Sequence, residues 1–180
     1  MSANLPIAVG DEVTADILNE ISGINDSASF LRTTTVSPLV SSANTDTSIL
    51  TGSFDFVSGY AYEITLSARF AIAGTYTTDG VVPRALFGLR RTNASGTQIY
   101  NSGYVPVTDN ANYHFHGSQI VKVTAGDTTQ TISFNAQYSS VAGASSMSIN
   151  LNGSVTPAVM TIKRIGLAAN HADAVELPTS

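Results

Sequence analysis

The sequence predicts an all-β protein: an antiparallel β-sandwich of the jelly-roll type, preceded by an extended arm with a short N-terminal helix. Apolar and polar residues alternate strictly with a period of two over 60–73, which is typical of a long strand with one buried face. The same alternation recurs over 131–138 and 147–152. Turn-forming pairs such as Ser58-Gly59 and Asn152-Gly153 separate the strands at short, regular intervals.

Further strands are predicted over five less regular runs that are rich in β-branched or aromatic residues. These runs are 48–57, 82–92, 98–100, 113–124 and 158–165. Longer connections are predicted over 74–81 and 101–112. Eight or so strands with a few long connections fit a jelly roll better than a simple meander. The sandwich domain is predicted over 31–166, followed by a C-terminal tail over 167–180 that has no strand period.

Residues 1–30 are predicted to form an attachment arm that contains one helix. Thr14 is placed to cap its first turn and Gly23 to end it. A helix of about two turns is unstable alone in water because nucleation is costly, so we expect it to dock on its own domain or on a partner. The apolar residues expected to make that contact are Val13, Ile17, Leu18 and Ile21.

Composition narrows the possible functions. The chain has 180 residues, of which 43% are hydrophobic and only 12% charged, so charge-driven disorder is excluded. The net charge is −5, and the sequence offers no patch of basic residues. These two features argue against nucleic acid as a partner. No cysteine is present, which removes disulfides and thiolate sites. No apolar run approaches the roughly 18 residues that span a bilayer, so we expect neither membrane insertion nor a secretory signal.

Charge is distributed unevenly along the chain. Residues 1–26 contain five acidic residues and no base, whereas 27–166 are nearly neutral. Ser and Thr supply close to a quarter of all residues, and such a surface is buried against a partner at a lower desolvation cost than a charged one. We therefore expect the protein to assemble with other molecules. Glu12, Asp16 and Glu20 share one helix face, which is either solvated or set against a basic receptor surface.

Signals for catalysis are poor, and no cofactor is predicted. The sequence has no phosphate-binding glycine loop, no nucleophile elbow and no HExxH motif, so we expect no enzyme activity. His114 and His116 alternate on a predicted strand, where two imidazoles on one face could share a metal, or form an ordinary pair around a core Phe115. Three tyrosines could form a sugar-stacking platform or pack in the core. They are Tyr100, Tyr104 and Tyr113.

Three segments carry a resemblance to a known group of proteins. The opening, LP at 5–6 and GDEVTADILN at 10–19, resembles the start of accessory virion and minor tail proteins of tailed bacteriophages. FVSGYAYEI at 56–64 is similar to a recurring strand entry in their β-sandwich modules, and MTIKRIG at 160–166 is similar to their closing strand. Those modules resemble tumour-necrosis-factor-like and C1q-like jelly rolls, which commonly form trimers.

The resemblance implies a structural role in the virion. The expected function is a capsid decoration protein that self-associates through its sandwich as a homotrimer and docks on another virion protein through its N-terminal arm. The alternative is a tail-fibre or minor tail module that binds a host-surface carbohydrate.

Overall fold

A computed structural model describes residues 26–41, 44–76, 84–106, 112–138 and 144–177. These residues form eleven strands and a short 3₁₀ turn. The elements are β1 (Ser27–Arg32), β2 (Thr35–Val40), β3 (Thr47–Phe56), β4 (Tyr60–Tyr76), β5 (Arg84–Arg91), β6 (Gln98–Pro106), β7 (Asn112–Val123), β8 (Thr128–Tyr138), β9 (Ala144–Asn152), β10 (Ala158–Leu167), the 3₁₀ turn (Ala168–Asn170) and β11 (Val175–Glu176). The predicted N-terminal helix lies outside the described residues. Within them, no helix is long and apolar enough to cross a bilayer.

The strands form two sheets that pack face to face. The large sheet has seven strands, with the path β1-β10-β4-β7-β11 and with β2 and β9 joined to its side. The small sheet has four strands in the order β3-β8-β5-β6. All pairings are antiparallel except that of β11 with β7. The antiparallel sandwich predicted from the alternation is therefore confirmed.

The strand order is that of a jelly roll. Along one side of β4, β10 pairs with its first half and β9 with its second half, and β1 and β2 flank β10 and β9 in the same way. If β1 and β2 are counted as one interrupted strand, β9 and β10 are counted as another, and the short β11 is set aside, eight strands remain. Their order is first, eighth, third and sixth in one sheet, and second, seventh, fourth and fifth in the other. This alternation between sheets is the two-Greek-key arrangement of jelly rolls.

The hydrophobic core lies between the two sheets. β4 supplies one wall because its even-numbered residues point inward, as the period of two predicts. β3, β5 and β8 of the small sheet supply most of the opposite wall, and aromatic rings from the two sheets pack against each other. The Phe87 ring stacks on Phe115 at a centroid distance of 4.4 Å and lies 4.7 Å from that of Phe70. The largest fully buried side chains are Tyr62, Phe56, Phe70, Phe134, Ile49, Ile64, Leu89, Ile132, Ile149, Leu151 and Met160.

On one side of the sandwich, an aromatic ring of the edge strand β1 packs on the edge strand β3 of the other sheet. The Phe30 ring of β1 lies directly on Gly52 of β3. A Cβ atom built at position 52 would stand 2.3 Å from two of the ring carbons, so only glycine leaves room for the ring. Phe30 thus seats β1 against the small sheet.

The structure contains strands that the sequence pattern did not predict. β1 and β2 form the outer edge of the large sheet, and β1 begins before residue 31. The long connection predicted over 101–112 was wrong in its first half, because β6 continues to Pro106. Gly103 has a φ of +71° and the register with β5 shifts there, so a β-bulge carries the strand through what looked like a turn.

The segment after β10 folds back onto the large sheet. β11 lies parallel to β7, and the Leu177 backbone N–H donates to the Lys122 carbonyl at 2.8 Å. The Glu176 carboxylate accepts hydrogen bonds from the backbone N–H and the hydroxyl of Thr124 at 2.9 and 2.8 Å. Leu177 is 1% exposed and belongs to the core. The body of the protein therefore includes this segment through Leu177.

Candidate interaction face

The outer face of the large sheet presents two neighbouring rows of side chains that cross four strands and contain no Asp, Glu, Lys or Arg. The strand register defines both rows. The hydroxyl row runs across β1, β10, β4 and β7 as Ser29, Thr161, Thr65 and Ser118. The mixed row runs parallel to it as Leu31, Val159, Ser67 and His116. Together these rows form a flat strip that is polar but uncharged when histidine is neutral.

Several side-chain hydroxyls on the protein surface form hydrogen bonds with one another. Ser29 Oγ lies 3.0 Å from Thr161 Oγ1 within the hydroxyl row. On the small sheet, Ser53 Oγ lies 2.8 Å from Thr131 Oγ1. A hydroxyl that already has a partner loses less when a protein surface displaces its water. This pairing lowers the cost of covering the face with another molecule.

A basic cluster borders the mixed row. Arg69 of β4 stands opposite His114 of β7, and His116 follows two residues along the same strand. Both histidines are exposed, and their rings lie 4.3 Å apart between centroids. Ser67 Oγ lies 3.1 Å from His114 Nε2. Within the described part of the chain, Arg69 forms no ion pair with a carboxylate; the two ion pairs found there are those of Arg90 with Asp46 and Arg164 with Asp26.

The metal site predicted at His114 and His116 has two ligands in one copy of the chain. The alternation placed both imidazoles on one face, and the structure agrees. Among the described residues, no group of three or more His, Cys, Asp or Glu side chains is arranged to hold a metal ion. A metal bound there would need ligands beyond these described residues or from further copies, and this site stays a prediction.

The three tyrosines predicted as a glycan platform lie on two strands that belong to different sheets, β6 and β7. Tyr100 is on β6 and Tyr113 on β7, and both are half-buried and packed against the core. The Tyr104 backbone pairs with Leu86 in the small sheet, and its side chain lies outside the described residues. The rings of Tyr100 and Tyr113 therefore contribute to packing between the sheets. Glycan binding by these residues stays a prediction.

The end of β1 that joins the arm is held by a buried cation. The Arg164 side chain is 9% exposed, pairs through Nη2 with the Asp26 carboxylate, and lies 4.4 Å above the centroid of the Tyr60 ring. The Arg164 backbone N–H also donates to the Asp26 carbonyl at 2.9 Å. Nearby, burial raises the pKa of the Tyr62 phenol, whose oxygen accepts a hydrogen bond from the Val57 N–H at 2.7 Å. Asp26, the first described residue, is thus fixed to β10.

The arm residues predicted to bind a partner lie outside the described residues. They are Val13, Ile17, Leu18 and Ile21. Their interaction with a partner stays a prediction.

An open cleft of about 400 Å³ separates β7 from the segment that follows the 3₁₀ turn. Ser118, His171 and Asp173 are among the residues that line it. No hydrogen bond joins these three side chains in the described structure, so the cleft shows no assembled nucleophile and base.

Comparison with known proteins gives no family assignment. No family model and no curated protein matches the chain. Among solved structures, the chain is similar to the VP2 subviral particle of infectious bursal disease virus, with a TM-score of 0.39 and 12% identity over 79% of this chain and 39% of that one. It is also similar to dimeric latent PorU from Porphyromonas gingivalis, with a TM-score of 0.39 and 13% identity over 78% of this chain and 13% of that one. The chain thus spans well under half of either protein. At these scores the likeness assigns neither fold nor function, and the jelly-roll assignment rests on the strand order.

Proposed function

We propose that this protein is a non-enzymatic structural component of a virus particle, and that it works by packing against neighbouring molecules. The observation that carries the proposal is the uncharged strip on the outer face of the large sheet. A protein that acts alone in water gains solubility from scattered charges on such a face. Here two complete rows across four strands lack charged residues.

The energetics of this face favour assembly. Covering the strip displaces water from paired hydroxyls and from the apolar Leu31 and Val159, and it leaves no charge without a partner. Leu31 is 61% exposed, so a partner that covers it adds a favourable hydrophobic contribution at about 25 cal/mol per Å². The net result is a surface whose burial costs little and yields a modest gain at each copy.

The resemblance of 5–19, 56–64 and 160–166 to tailed-phage accessory proteins supplies the finer proposal. The protein decorates the capsid of a tailed bacteriophage as a homotrimer of tumour-necrosis-factor-like or C1q-like jelly rolls, located in the virion. Val13, Ile17, Leu18 and Ile21 in the arm bind another virion protein. Three arms in one trimer would strengthen a weak individual contact by avidity.

A matched pair of substitutions tests the packing role. Thr65 lies on the central strand of the large sheet, at the middle of the hydroxyl row, and Thr131 lies on a central strand of the small sheet. We expect Thr65→Arg to abolish self-association in sedimentation velocity, because it places an unpaired cation in the strip. Thr131→Arg, the control, should associate like the unmodified protein. A Thr65→Arg protein that still forms the normal oligomer would refute the strip as the assembly surface.

Copy number in purified particles tests the location. Hundreds of copies per particle are expected for a capsid decoration protein, and a handful would place the protein in the tail. Carbohydrate binding that is lost in Tyr104→Ala or Tyr113→Ala would favour the alternative, a tail module that recognises a host glycan.

A further inference from the structure

The basic cluster of Arg69, His114 and His116 has the composition of an anion-binding surface. It combines one guanidinium with two neighbouring imidazole side chains. The charged groups that face it from the adjoining strands are few. β7 carries no acid, β10 carries Lys163 on its outer side, and Glu63 on β4 lies two rows beyond Ser67 and opposite Lys163. In the described structure the cluster therefore has no carboxylate beside it.

The sequence contains one segment with the complementary charge. Residues 1–26 hold five acidic residues and no base. Glu12, Asp16 and Glu20 are spaced four residues apart, so a helix would place them on one side, beside the apolar Ile17 and Ile21. Such a segment offers an acidic stripe next to an apolar one.

The outer face offers the matching pair of features. The mixed row begins with the exposed Leu31 and with Val159, and it ends at His116, next to Arg69. Neighbouring strands are about 4.8 Å apart, so the row is about 15 Å long. An α-helix is about 10–12 Å wide with its side chains, so a helix lying across the row would direct its acidic and apolar stripes toward the two ends of the row. Apolar and basic groups thus lie at opposite ends of a surface of the right size.

The direction of β1 indicates whether the acidic segment binds the basic cluster of its own chain or that of a neighbouring molecule. β1 runs from Ser27 toward Leu31, which is also the direction toward the basic cluster, and Asp26 is fixed behind it by Arg164. The chain before Asp26 therefore enters from the end of the sheet that is farther from the cluster, about 25 Å away. Reaching its own cluster requires a reversal. Reaching a neighbouring molecule requires none, and 25 residues extend as far as about 80 Å.

We propose that the acidic segment 1–25 of one copy docks on the basic cluster and mixed row of a second copy. This inference rests on the proposed self-association, and it names a second copy of this chain as the virion protein that the arm binds. The carboxylates face Arg69 and the two histidines, and the apolar side chains cover Leu31 and Val159. The contact links molecules in series or in a closed ring, because each copy both donates an arm and offers a face.

Charge reversal on each side of the contact tests this in the full-length protein. One variant carries Arg69→Glu. The other, the reversed-arm variant, carries Glu12→Lys, Asp16→Lys and Glu20→Lys. Each variant alone should self-associate about tenfold more weakly than the unmodified protein at low salt, because attraction becomes repulsion. Arg84→Glu, on an exposed arginine of the small sheet, is the matched control and should change nothing.

Mixing the two variants distinguishes a second copy from the same chain. In the mixture, the acidic arm of the Arg69→Glu protein meets an unmodified basic face, and the reversed arm meets an acidic one. Both contacts are complementary, so the mixture should associate more strongly than either variant alone. A mixed trimer keeps two complementary contacts out of three. If both variants associate weakly and mixing restores nothing, the arm contacts its own chain and the proposal is wrong.

Three further outcomes overturn the inference in distinguishable ways. An unmodified protein that associates, together with an Arg69→Glu variant that associates equally well, refutes the arm contact and leaves the proposed function intact. An unmodified protein that stays monomeric refutes both. Association that disappears on EDTA treatment and returns with Zn²⁺ would assign the histidines to a shared metal in place of the arm.

Discussion

The contact between Phe30 and Gly52 should make a glycine-to-alanine substitution destabilising in a strand, where alanine is ordinarily the better residue. A Cβ at position 52 would lie 2.3 Å from Phe30 Cγ and Cδ1 and 2.5 Å from Cδ2. Ordinary carbon contacts are about 3.5 Å or longer, so the ring must retreat by roughly 1 Å. The ring is attached close to the β1 backbone, so β1 has to move with it.

The expected cost of Gly52→Ala follows from two opposing effects. Overpacking a well-packed site costs about 1–3 kcal/mol. Replacing glycine within a strand returns about 0.5–1 kcal/mol. We expect the free energy of unfolding to fall by about 1–2 kcal/mol, measured by equilibrium urea denaturation at constant m-value.

A double-mutant cycle with Phe30→Ala isolates the clash. Phe30→Ala alone should cost about 2 kcal/mol, because the ring is only partly buried. In that background Gly52→Ala meets an empty space and should be neutral or stabilising, which gives a coupling energy of about 1–2 kcal/mol between the two sites. The reasoning fails if Gly52→Ala costs the same with and without the Phe30 ring.

Two other predictions concern the C-terminal strand and the phenol of Tyr62. Leu177→Ala should lower the free energy of unfolding by about 2–3 kcal/mol, whereas Val175→Ala, at a position 36% exposed two residues earlier, should cost under about 0.5 kcal/mol; equal costs would contradict the docking of β11 and Leu177. For Tyr62, burial raises the pKa of the folded phenol above its ordinary value of 10.0. The protonated phenol's contribution to the free energy of unfolding is therefore complete below pH 10 and is lost as the pH rises through the folded pKa. Tyr62→Phe should therefore reduce stability by about 1 kcal/mol at neutral pH, through loss of the Val57 hydrogen bond, and should lose less stability than the unmodified protein in urea titrations above pH 10.

The sequence predicts those strands that bury one face in the core and expose the other. β4 is predicted along most of its length because every second side chain enters the core and the others face out. β1 and β2 escape prediction because Ser, Thr and Pro38 occupy many of their positions, and an edge strand buries too little to impose an apolar pattern. β11 has two residues and pairs in parallel with β7, a contact between distant segments that leaves no local signal.

On the candidate interaction face, too, features within one strand can be predicted from the sequence, and features that depend on strand register cannot. Alternation alone places His114 and His116 on one side of a strand, and their rings do lie together. Arg69 completes the cluster only through the register of β4 with β7, which pairs residues 45 positions apart and cannot be deduced from either strand alone. Likewise, the hydroxyl row exists because four strands from remote parts of the chain align Ser29, Thr161, Thr65 and Ser118.

The separation of charge between arm and body has a physical consequence for assembly. An uncharged strip buries cheaply but discriminates poorly among partners, because hydroxyls and small apolar groups fit many surfaces. Charge complementarity adds orientation and rejects partners of the wrong sign. In this protein the strip supplies area that can be covered at low cost, and Arg69 with its neighbouring histidines supplies a direction at one end of it. Salt should therefore weaken the choice of partner orientation before it weakens burial of the strip, since only the charged contact is screened.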